Sequence, residues 1–268
     1  MSEQSWIPNA IPLDRPSPAR IYDCLLGGYH NFAIDREIAG KMKEICPEMS
    51  QSAQANRAFL RRAVRFVMAQ GIDQILDLGS GIPTVGNVHE EAQAINPEAR
   101  VVYVDIDPVA VAHSNAILED NLRAVAIQAD VRDIEGILAL EQVQDLLDFG
   151  KPLAVLMVTV LHYVVDDEKA LHVVQETLHS LAPDSYLVVA HATTEYEPPG
   201  LRELGQLFGQ ASTTKRRSRA QIKAFFEGQE MVEPGLVWTP LWRPEDDDDV
   251  FIDEPHLAFT LAGVIRKA

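Results

Sequence analysis

Cysteine is scarce in this sequence, whose 268 residues include only Cys24 and Cys46. No Cys-x-x-Cys pair and no His/Cys spacing of a zinc site is present, so we expect no structural zinc and no other bound metal. Two isolated cysteines are typical of a reducing compartment. We therefore expect both to be free, buried thiols.

Long apolar runs are also missing. No stretch approaches the ~18 consecutive apolar residues of a transmembrane helix. The segment Met1–Pro16 lacks the basic start and apolar centre of a signal peptide. We therefore expect a cytoplasmic protein with no membrane partner.

Basic residues are few: 23 Lys and Arg stand against 40 Asp and Glu, which gives a formal net charge of −17. Such a charge repels polyanions, so we expect a small-molecule substrate and no nucleic-acid partner. The basic run Lys215–Arg219 (KRRSR) could hold an anionic substrate, although a solvated helix start is its commoner meaning. We interpret the acidic run Glu245–Asp249 as a solvated loop.

What the sequence does contain is an alternation of apolar strands and amphipathic helices. Residues 1–71 show an irregular arm and helical periodicity without a strand, whereas residues 72–268 alternate between the two patterns. This predicts an N-terminal arm and helical cap followed by an α/β core with a mainly parallel sheet. The predicted strands cover residues 73–78, 100–105, 122–128, 151–159, 186–190, 231–238 and 256–265.

The stretch Ile75–Pro83 organises this core. It starts as a buried strand and breaks at Gly79-Ser80-Gly81, after which a helical pattern opens. A strand that turns through Gly-x-Gly into a helix is where a doubly wound sheet holds a nucleotide-like ligand. A glycine pair after a strand is, however, more often only a tight turn. The apolar residues predicted to share the inner face of the following helix are Val85, Val88, Ala92 and Ile95.

Two details separate this loop from a dinucleotide-binding loop. Thr84 occupies the place of a third glycine, and Asp77 lies two residues before the first one. A carboxylate repels a pyrophosphate but attracts the ammonium group of an amino acid. The loop therefore favours S-adenosylmethionine (SAM) as cofactor and disfavours an NAD-dependent oxidoreductase.

Two further acids follow the next two strands. Asp105 ends the second strand, close to the interval at which an acid meets the ribose hydroxyls of a nucleotide. Asp130 follows the third strand, where it could accept from an adenine amino group, with Ile106 and Val131 on either side of the ring. Capping of the following helix is the alternative role of each acid.

The glycine loop and the three acids resemble the SAM site of class I methyltransferases. Several longer motifs resemble a bacterial family of predicted SAM-dependent methyltransferases, first catalogued as a domain of unknown function, and the resemblance extends from Pro16 to the end of the chain. It implies a Rossmann-like sheet of seven strands with the last one antiparallel, SAM binding and methyl transfer, without an agreed substrate. The motifs are Arg20–Phe32 (RIYDCLLGGYHNF), Asp35–Glu37 (DRE), Asn87–Glu90 (NVHE), Tyr103–Pro108 (YVDIDP), Phe225–Gly228 (FFEG) and Val232–Val237 (VEPGLV).

The N-terminal motif also provides candidate ligand contacts. Its glycine pair, its amide and its aromatic residues suit a loop that folds over a small polar ligand, although a plain turn between two helices is the alternative. We expect Tyr22, Gly28 and Asn31 to contact SAM, together with Thr159 at the end of the fourth strand.

Three residues are candidates for proton transfer at the methyl acceptor. His162 and Tyr163 follow strand four, and His191 follows strand five, all at the ligand edge of the sheet. A histidine could take a proton from a hydroxyl acceptor. Each could equally be a structural histidine at a strand end, and alignment of the acceptor alone can suffice for methyl transfer.

The sequence thus predicts a SAM-dependent methyltransferase acting on a small molecule, with a hydroxyl group as the expected acceptor. The alternative is a SAM-binding sensor or storage protein without turnover. A homodimer is one assembly that the sequence allows.

Overall fold

The computed structural model describes residues 15–83, 86–245 and 250–268. The predicted helical cap is present before the first strand, while the predicted arm lies almost wholly outside the described residues. The periodicity of the longest cap helix predicts an inward face of Phe59, Ala63, Phe66 and Val67. Phe66 is partly buried, and the other three are fully buried. The division of the chain at residue 71 stays a prediction. The three helices are α1 (Pro18–Leu25), α2 (Ala33–Ile45) and α3 (Met49–Ala69).

One mixed sheet forms the centre of the molecule. Its strands are β1 (Gln74–Leu78), β2 (Arg100–Asp105), β3 (Ala124–Gln128), β4 (Ala154–Val158), β5 (Tyr186–Ala192), β6 (Glu230–Met231), β7 (Val237–Trp238) and β8 (Thr260–Arg266). Their order is β3-β2-β1-β4-β5-β8-β6, and β7 also pairs with β8. Strands β1 to β5 are parallel, and β8 is antiparallel to β5. The predicted Rossmann-like architecture with an antiparallel last strand is confirmed.

The predicted count of seven strands is wrong, because the described part of the sheet contains eight. The expected strand over 231–238 is two short strands, and both pair with β8. Pro234 lies between them and cannot donate a ladder hydrogen bond. Gly235 follows with φ 87°, a turn conformation that ends the extended backbone.

The helices that follow the strands differ from prediction at their ends. The side chain of Ile95, predicted to face inward, is 51% exposed because it lies on the last turn of its helix. Val85 of the same predicted face is outside the described residues. Leu122 is 89% exposed and precedes β3, since the Asn121 side chain accepts from the backbone N–H of Arg123 and forms a turn there. The remaining helices are α4 (Val88–Ile95), α5 (Pro108–Ile117), α6 (Ile134–Leu138), α7 (Glu141–Leu146), α8 (Asp167–Ser180), α9 (Leu201–Ala211) and α10 (Arg219–Ala224).

Apolar side chains pack on both faces of the sheet. Helices α3 and α4 cover one face, and α6, α7, α8 and α10 cover the other. A third, smaller cluster joins α1, α2 and α9 above the carboxyl ends of the parallel strands. This arrangement leaves space between the strand ends and helices α1, α3 and α9.

The two cysteines and the acidic run differ in how far the structure describes the environments that the sequence predicts for them. Cys46 is buried and Cys24 is half-buried, and both are free thiols. The acidic run is described only at Glu245, which is exposed, while Asp246–Asp249 lie outside the described residues. Within the described ranges, no helix combines the length and apolar character needed to cross a membrane.

Trp242 joins α3 to the sheet, and we expect its truncation to destabilise the fold. Its ring is fully buried, with Phe59 and Phe66 packed edge-on at centroid distances of 5.5 and 5.6 Å. Replacing a buried Trp by Ala leaves a cavity, so Trp242→Ala should lower the free energy of unfolding by about 3–5 kcal/mol. Urea denaturation monitored by circular dichroism measures this loss.

The neighbouring Leu241→Ala is the matched control, because the Leu241 side chain is 36% exposed. Its loss should be about 1 kcal/mol or less. Similar losses in the two variants would contradict the anchoring role of Trp242.

Candidate functional site

A cavity of about 530 Å³ lies at the carboxyl ends of the parallel strands, roofed by α1, α3 and α9. Most residues that the sequence singles out line this cavity, whereas Gly28, Asn31 and His191 do not. Those that line it are Tyr22, Asp77, Gly79, Ser80, Gly81, Asp105, Ile106, Asp130, Val131, Thr159, His162 and Tyr163.

The glycine loop after β1 is held against two neighbouring strands. The backbone N–H groups of Gly79 and Ser80 donate to the carbonyl of Val104 at the end of β2, at 2.8 and 3.1 Å. Gly79 has φ 73°, and a Cβ placed there would lie 2.3 Å from Cγ2 of Val160. A side chain at this position would therefore force the loops after β1 and β4 apart.

Two acids from adjacent strands are buried next to this loop. Asp105 accepts from the backbone N–H of Gly81 through Oδ2 at 2.7 Å and from that of Asp107 through Oδ1 at 2.8 Å. Burial nevertheless raises the pKa of Asp105 to about 6. The Asp77 carboxylate receives no hydrogen bond from the described residues. Burial, with the charge of Asp105 added, raises the pKa of Asp77 to about 7 against the opposing charge of Arg57.

Helix α3 contributes two polar residues that the sequence analysis missed. Arg57 and Asn56 both line the cavity. Arg57 donates through Nη2 to the carbonyl of Ile82 at 3.2 Å, and its buried Nε has no hydrogen-bond partner among the described residues. Because Asn56 precedes Phe59 by three positions, it falls on the buried face of α3, and a polar residue on an apolar face was the signal available.

Asn56 and Tyr22 connect the cap to the fourth strand. The Tyr22 hydroxyl donates to the carbonyl of Ala53 at 3.0 Å and accepts from Nδ2 of Asn56 at 2.9 Å. The same amide lies 3.3 Å from Oγ1 of Thr159, whose backbone has φ 57°. The Oδ1 atom of Asn56 is buried and has no partner in the described part of the chain.

The third acid differs from the first two. The Asp130 carboxylate is bound by its neighbour Arg132, with Nε at 2.8 and 2.9 Å from the two oxygens. This contact lowers the pKa of Asp130. Ile106 and Val131 line the same end of the cavity, Ile106 being largely exposed and Val131 buried. Contact with an adenine ring stays a prediction for Asp130, Ile106 and Val131.

Gly28 and Asn31, expected as ligand contacts, do not line the cavity and make contacts within the fold. Nδ2 of Asn31 donates to Oδ2 of Asp23 at 2.7 Å and to the carbonyl of Gly28 at 2.9 Å. A Cβ on Gly28 would lie 2.0 Å from Oδ1 of Asp23, so only glycine fits against this buried carboxylate. This segment forms the turn between α1 and α2. Of the three contacts predicted in the N-terminal motif, Tyr22 lines the cavity.

The turn Leu161–Tyr163 after β4 provides the titratable residues at the end of the cavity away from the glycine loop. Both His162 and Tyr163 line the cavity. Burial lowers the pKa of His162 to about 3, with the charges of His191 and Arg217 adding to the effect. Burial raises the pKa of Tyr163. At neutral pH the imidazole is therefore neutral and the phenol is protonated.

His191, expected at the methyl acceptor, does not line the cavity and is bonded within the fold. Its ring is fully buried away from the cavity, and both nitrogens are engaged. Nδ1 donates to the carbonyl of Ala192, and Nε2 accepts from Nη1 of Arg217, each at 2.8 Å. Burial lowers the pKa of His191 to about 4.

The basic run after α9 is not the solvated helix start that its composition favours. Arg217 is fully buried and donates to the carbonyls of Leu161 and Val164, at 3.0 and 2.7 Å. Its Nε also donates to the Asp167 carboxylate at 2.9 Å. These bonds hold both ends of the turn that carries His162.

Comparison with known proteins agrees with this arrangement. The sequence matches the family described as S-adenosyl methyltransferase over residues 4–268. A candidate methyltransferase from Thermobifida fusca, seen in a crystal structure, is 40% identical, with coverage of 98% of this chain and 99% of that chain and a TM-score of 0.91. A DUF574 family protein from Streptomyces avermitilis is 33% identical, with coverage of 96% and 99% and a TM-score of 0.90. No curated protein matches the sequence. The chain therefore belongs to the S-adenosyl methyltransferase family, and SAM is its cofactor.

Proposed function

We propose that this methyltransferase transfers the methyl group of SAM to a hydroxyl oxygen of a small molecule. One observation carries the position of the cofactor. Beside the glycine loop, the buried Asp77 carboxylate receives no hydrogen bond from the described residues, and the half-buried Arg57 has a buried Nε without a partner among them. The amino-acid part of SAM carries both an ammonium group and a carboxylate. Asp77 then binds its ammonium group, and Arg57 binds its carboxylate.

The remaining contacts follow from the neighbouring strand ends. The Asp105 carboxylate has further acceptor lone pairs for ribose hydroxyls, because a carboxylate offers about four lone-pair positions and its two backbone donors use two. Ile106 and Val131 provide apolar surface for the adenine ring, and Asp130 provides an acceptor for its amino group. Asn56 and Thr159 lie between this end of the cavity and the turn after β4. When bound, SAM supplies an electrophilic methyl group on a sulfonium.

The other end of the cavity is suited to a methyl acceptor. Leu201, Leu204 and Phe208 of α9 give it an apolar wall that excludes water from the reacting atoms. Nδ1 of His162 is buried and has no hydrogen-bond partner among the described residues. A neutral imidazole nitrogen in this position can accept the proton of an acceptor hydroxyl. With a pKa of about 3 it is a weak base, so alignment of the acceptor contributes most of the rate.

The other features of this function are predictions from the sequence. They are a cytoplasmic location, the absence of a nucleic-acid substrate and assembly as a homodimer. The cavity supports the absence of a nucleic-acid substrate, because its volume of about 530 Å³ is typical of small-molecule sites.

A turnover assay tests the proposal. The protein is incubated with SAM and a panel of phenols, aliphatic alcohols, amines and thiols, and mass spectrometry detects S-adenosylhomocysteine (SAH) and an acceptor heavier by one methylene. Formation of both products from a hydroxyl acceptor is expected. Methylation of amines or thiols alone would contradict the choice of a hydroxyl oxygen. Tight SAM binding with no turnover would support the sensor or storage alternative.

We expect SAH affinity to fall as the pH decreases, because the ammonium group binds ionised Asp77. With a pKa of about 7 in the free protein, Asp77 must lose a proton before binding at lower pH. Each pH unit below the pKa costs about tenfold in affinity, so protonation of Asp77 alone should lower the affinity roughly a hundredfold between pH 7.5 and pH 5. Titration calorimetry with SAH, which the enzyme cannot consume, measures it.

The Asp77→Asn variant is the control for this pH dependence. It should bind SAH weakly at pH 7.5 and lose much less affinity at pH 5. The smaller fall that persists should come from Asp105, whose pKa is about 6. An equal pH dependence in wild type and variant would remove Asp77 from the ammonium site.

We expect His162→Ala to leave SAH affinity nearly unchanged and to reduce turnover at least tenfold. The affinity should hold because His162 lies at the acceptor end, away from the glycine loop. The minimum for turnover is smaller than the roughly 10²-fold or more of a well-matched base, because His162 is a weak base. The measurement compares kcat with SAH affinity for any hydroxyl acceptor that the wild type methylates. Tyr163→Phe, which removes only a hydroxyl from the same turn, is the comparison variant. Full activity of His162→Ala would show that alignment alone drives the transfer.

A further inference from the structure

The charged residues that line the cavity differ between its two ends: carboxylates, together with Arg57 and Arg132, lie at the ends of the first three strands, and only cations lie beyond β4. The four carboxylates, from Asp77, Asp105, Asp107 and Asp130, all belong to the ends of β1, β2 and β3. At the acceptor end, beyond β4, the charged lining residues are Lys215 and Arg216, and both are cations. The acceptor end is therefore positive, although the whole chain has a net charge of −17.

The cations at this end outnumber the carboxylates that neutralise them. Asp167 forms an ion pair with Nζ of Lys215 at 2.8 Å and another with Nε of Arg217 at 2.9 Å. Arg219, the last cation of the basic run, pairs with Glu195 at 2.7 Å. Arg216 forms no ion pair with any described residue. One carboxylate, Asp167, thus serves two cations beside the cavity, while a third cation has none.

Backbone carbonyls hold the Arg216 side chain in place. Nε donates to the carbonyl of Thr193 at 2.8 Å, and Nη2 donates to the carbonyl of Tyr196. Half-burial lowers the pKa of Arg216, and the charge of exposed Glu197 only partly opposes this. A guanidinium fixed by carbonyl dipoles and short of a carboxylate partner is suited to an anionic ligand, since a charge-assisted hydrogen bond to a carboxylate is about twice as strong as a neutral one.

The surface beside Arg216 is apolar. Leu201, Leu204 and Phe208 lie on one face of α9, and Phe259 adds an aromatic ring. Such walls bind an apolar body and exclude water, which strengthens an ionic contact at their edge. The acceptor end therefore combines a broad apolar surface with a single unneutralised cation.

We infer that the acceptor is an apolar hydroxy acid, whose carboxylate binds Arg216 while its apolar body packs against α9. This inference rests on the proposed hydroxyl methyltransferase function and adds the substrate class. It also assigns to the basic run the anion-binding role that the sequence leaves open, at Arg216 alone.

Matched acids and methyl esters test the inference. Titration calorimetry is performed on protein saturated with SAH, with trans-4-hydroxycinnamate and 12-hydroxydodecanoate and with the methyl ester of each. At least one acid should bind roughly tenfold or more tightly than its ester, as expected for a hydrogen bond to a charged group. Equal affinities within both pairs, or no binding of any of the four probes, would overturn the inference.

Two variants locate the preference. Arg216→Met keeps an apolar stem of similar length and should abolish the preference for the acid without changing affinity for the ester. Arg219→Met removes a cation from the same run that does not line the cavity, and it should keep the preference. An acid preference that survives in Arg216→Met would overturn the role of Arg216.

Arg216→Lys covers the case in which Arg216→Met does not fold, because it keeps the charge and loses the bidentate geometry. Retention of an acid preference in this variant supports the inference, and its loss contradicts it. SAH affinity is measured separately on each protein. Absence of SAH binding by the wild type would contradict the proposed function, whereas normal SAH binding without acid preference would contradict only the substrate class.

Discussion

The burial of two neighbouring carboxylates, Asp77 and Asp105, is the constraint on which this site depends. An ionised carboxylate is costly in a low-dielectric interior, and two of them repel each other. Asp105 is stabilised by the backbone N–H of Gly81, which requires the loop to approach the end of β2 closely. No described residue donates a hydrogen bond to Asp77, and the charge of Arg57 only partly offsets the effect of burial on its pKa. The free site is therefore electrostatically incomplete, and a ligand with a cationic group completes it.

The sequence predicted the parts of the site that depend on local pattern. Apolar strands that end in an acid or a glycine pair bring those residues to one edge whatever else surrounds them, so Asp77, Asp105 and the glycine loop could be found. Arg57 could not, because its position depends on how α3 packs on the sheet. Asn56 could have been noticed in the sequence, because it is a polar residue on an otherwise apolar face of a helix.

Two expected site residues that lie outside the cavity share another feature: polar groups of the fold already bind their side chains. His191 has both ring nitrogens bonded within the fold, and Asn31 is bound to Asp23. Burial and neighbouring polar groups decide such cases, and neither can be read from a single chain position. The strand count failed for a simpler reason: Pro234 interrupts the extended backbone, and the periodicity on its two sides concealed the break.

Helix α9 packs with α1 and α2 in a cluster separate from the two cores of the sheet. Leu204 belongs both to this cluster and to the wall of the acceptor end. Substitutions in α9 can therefore reshape the acceptor end while the strand ends that we propose as the cofactor site stay as they are. In such an architecture, amino-acid changes in one small apolar cluster can change the acceptor that is bound without changing the cofactor site.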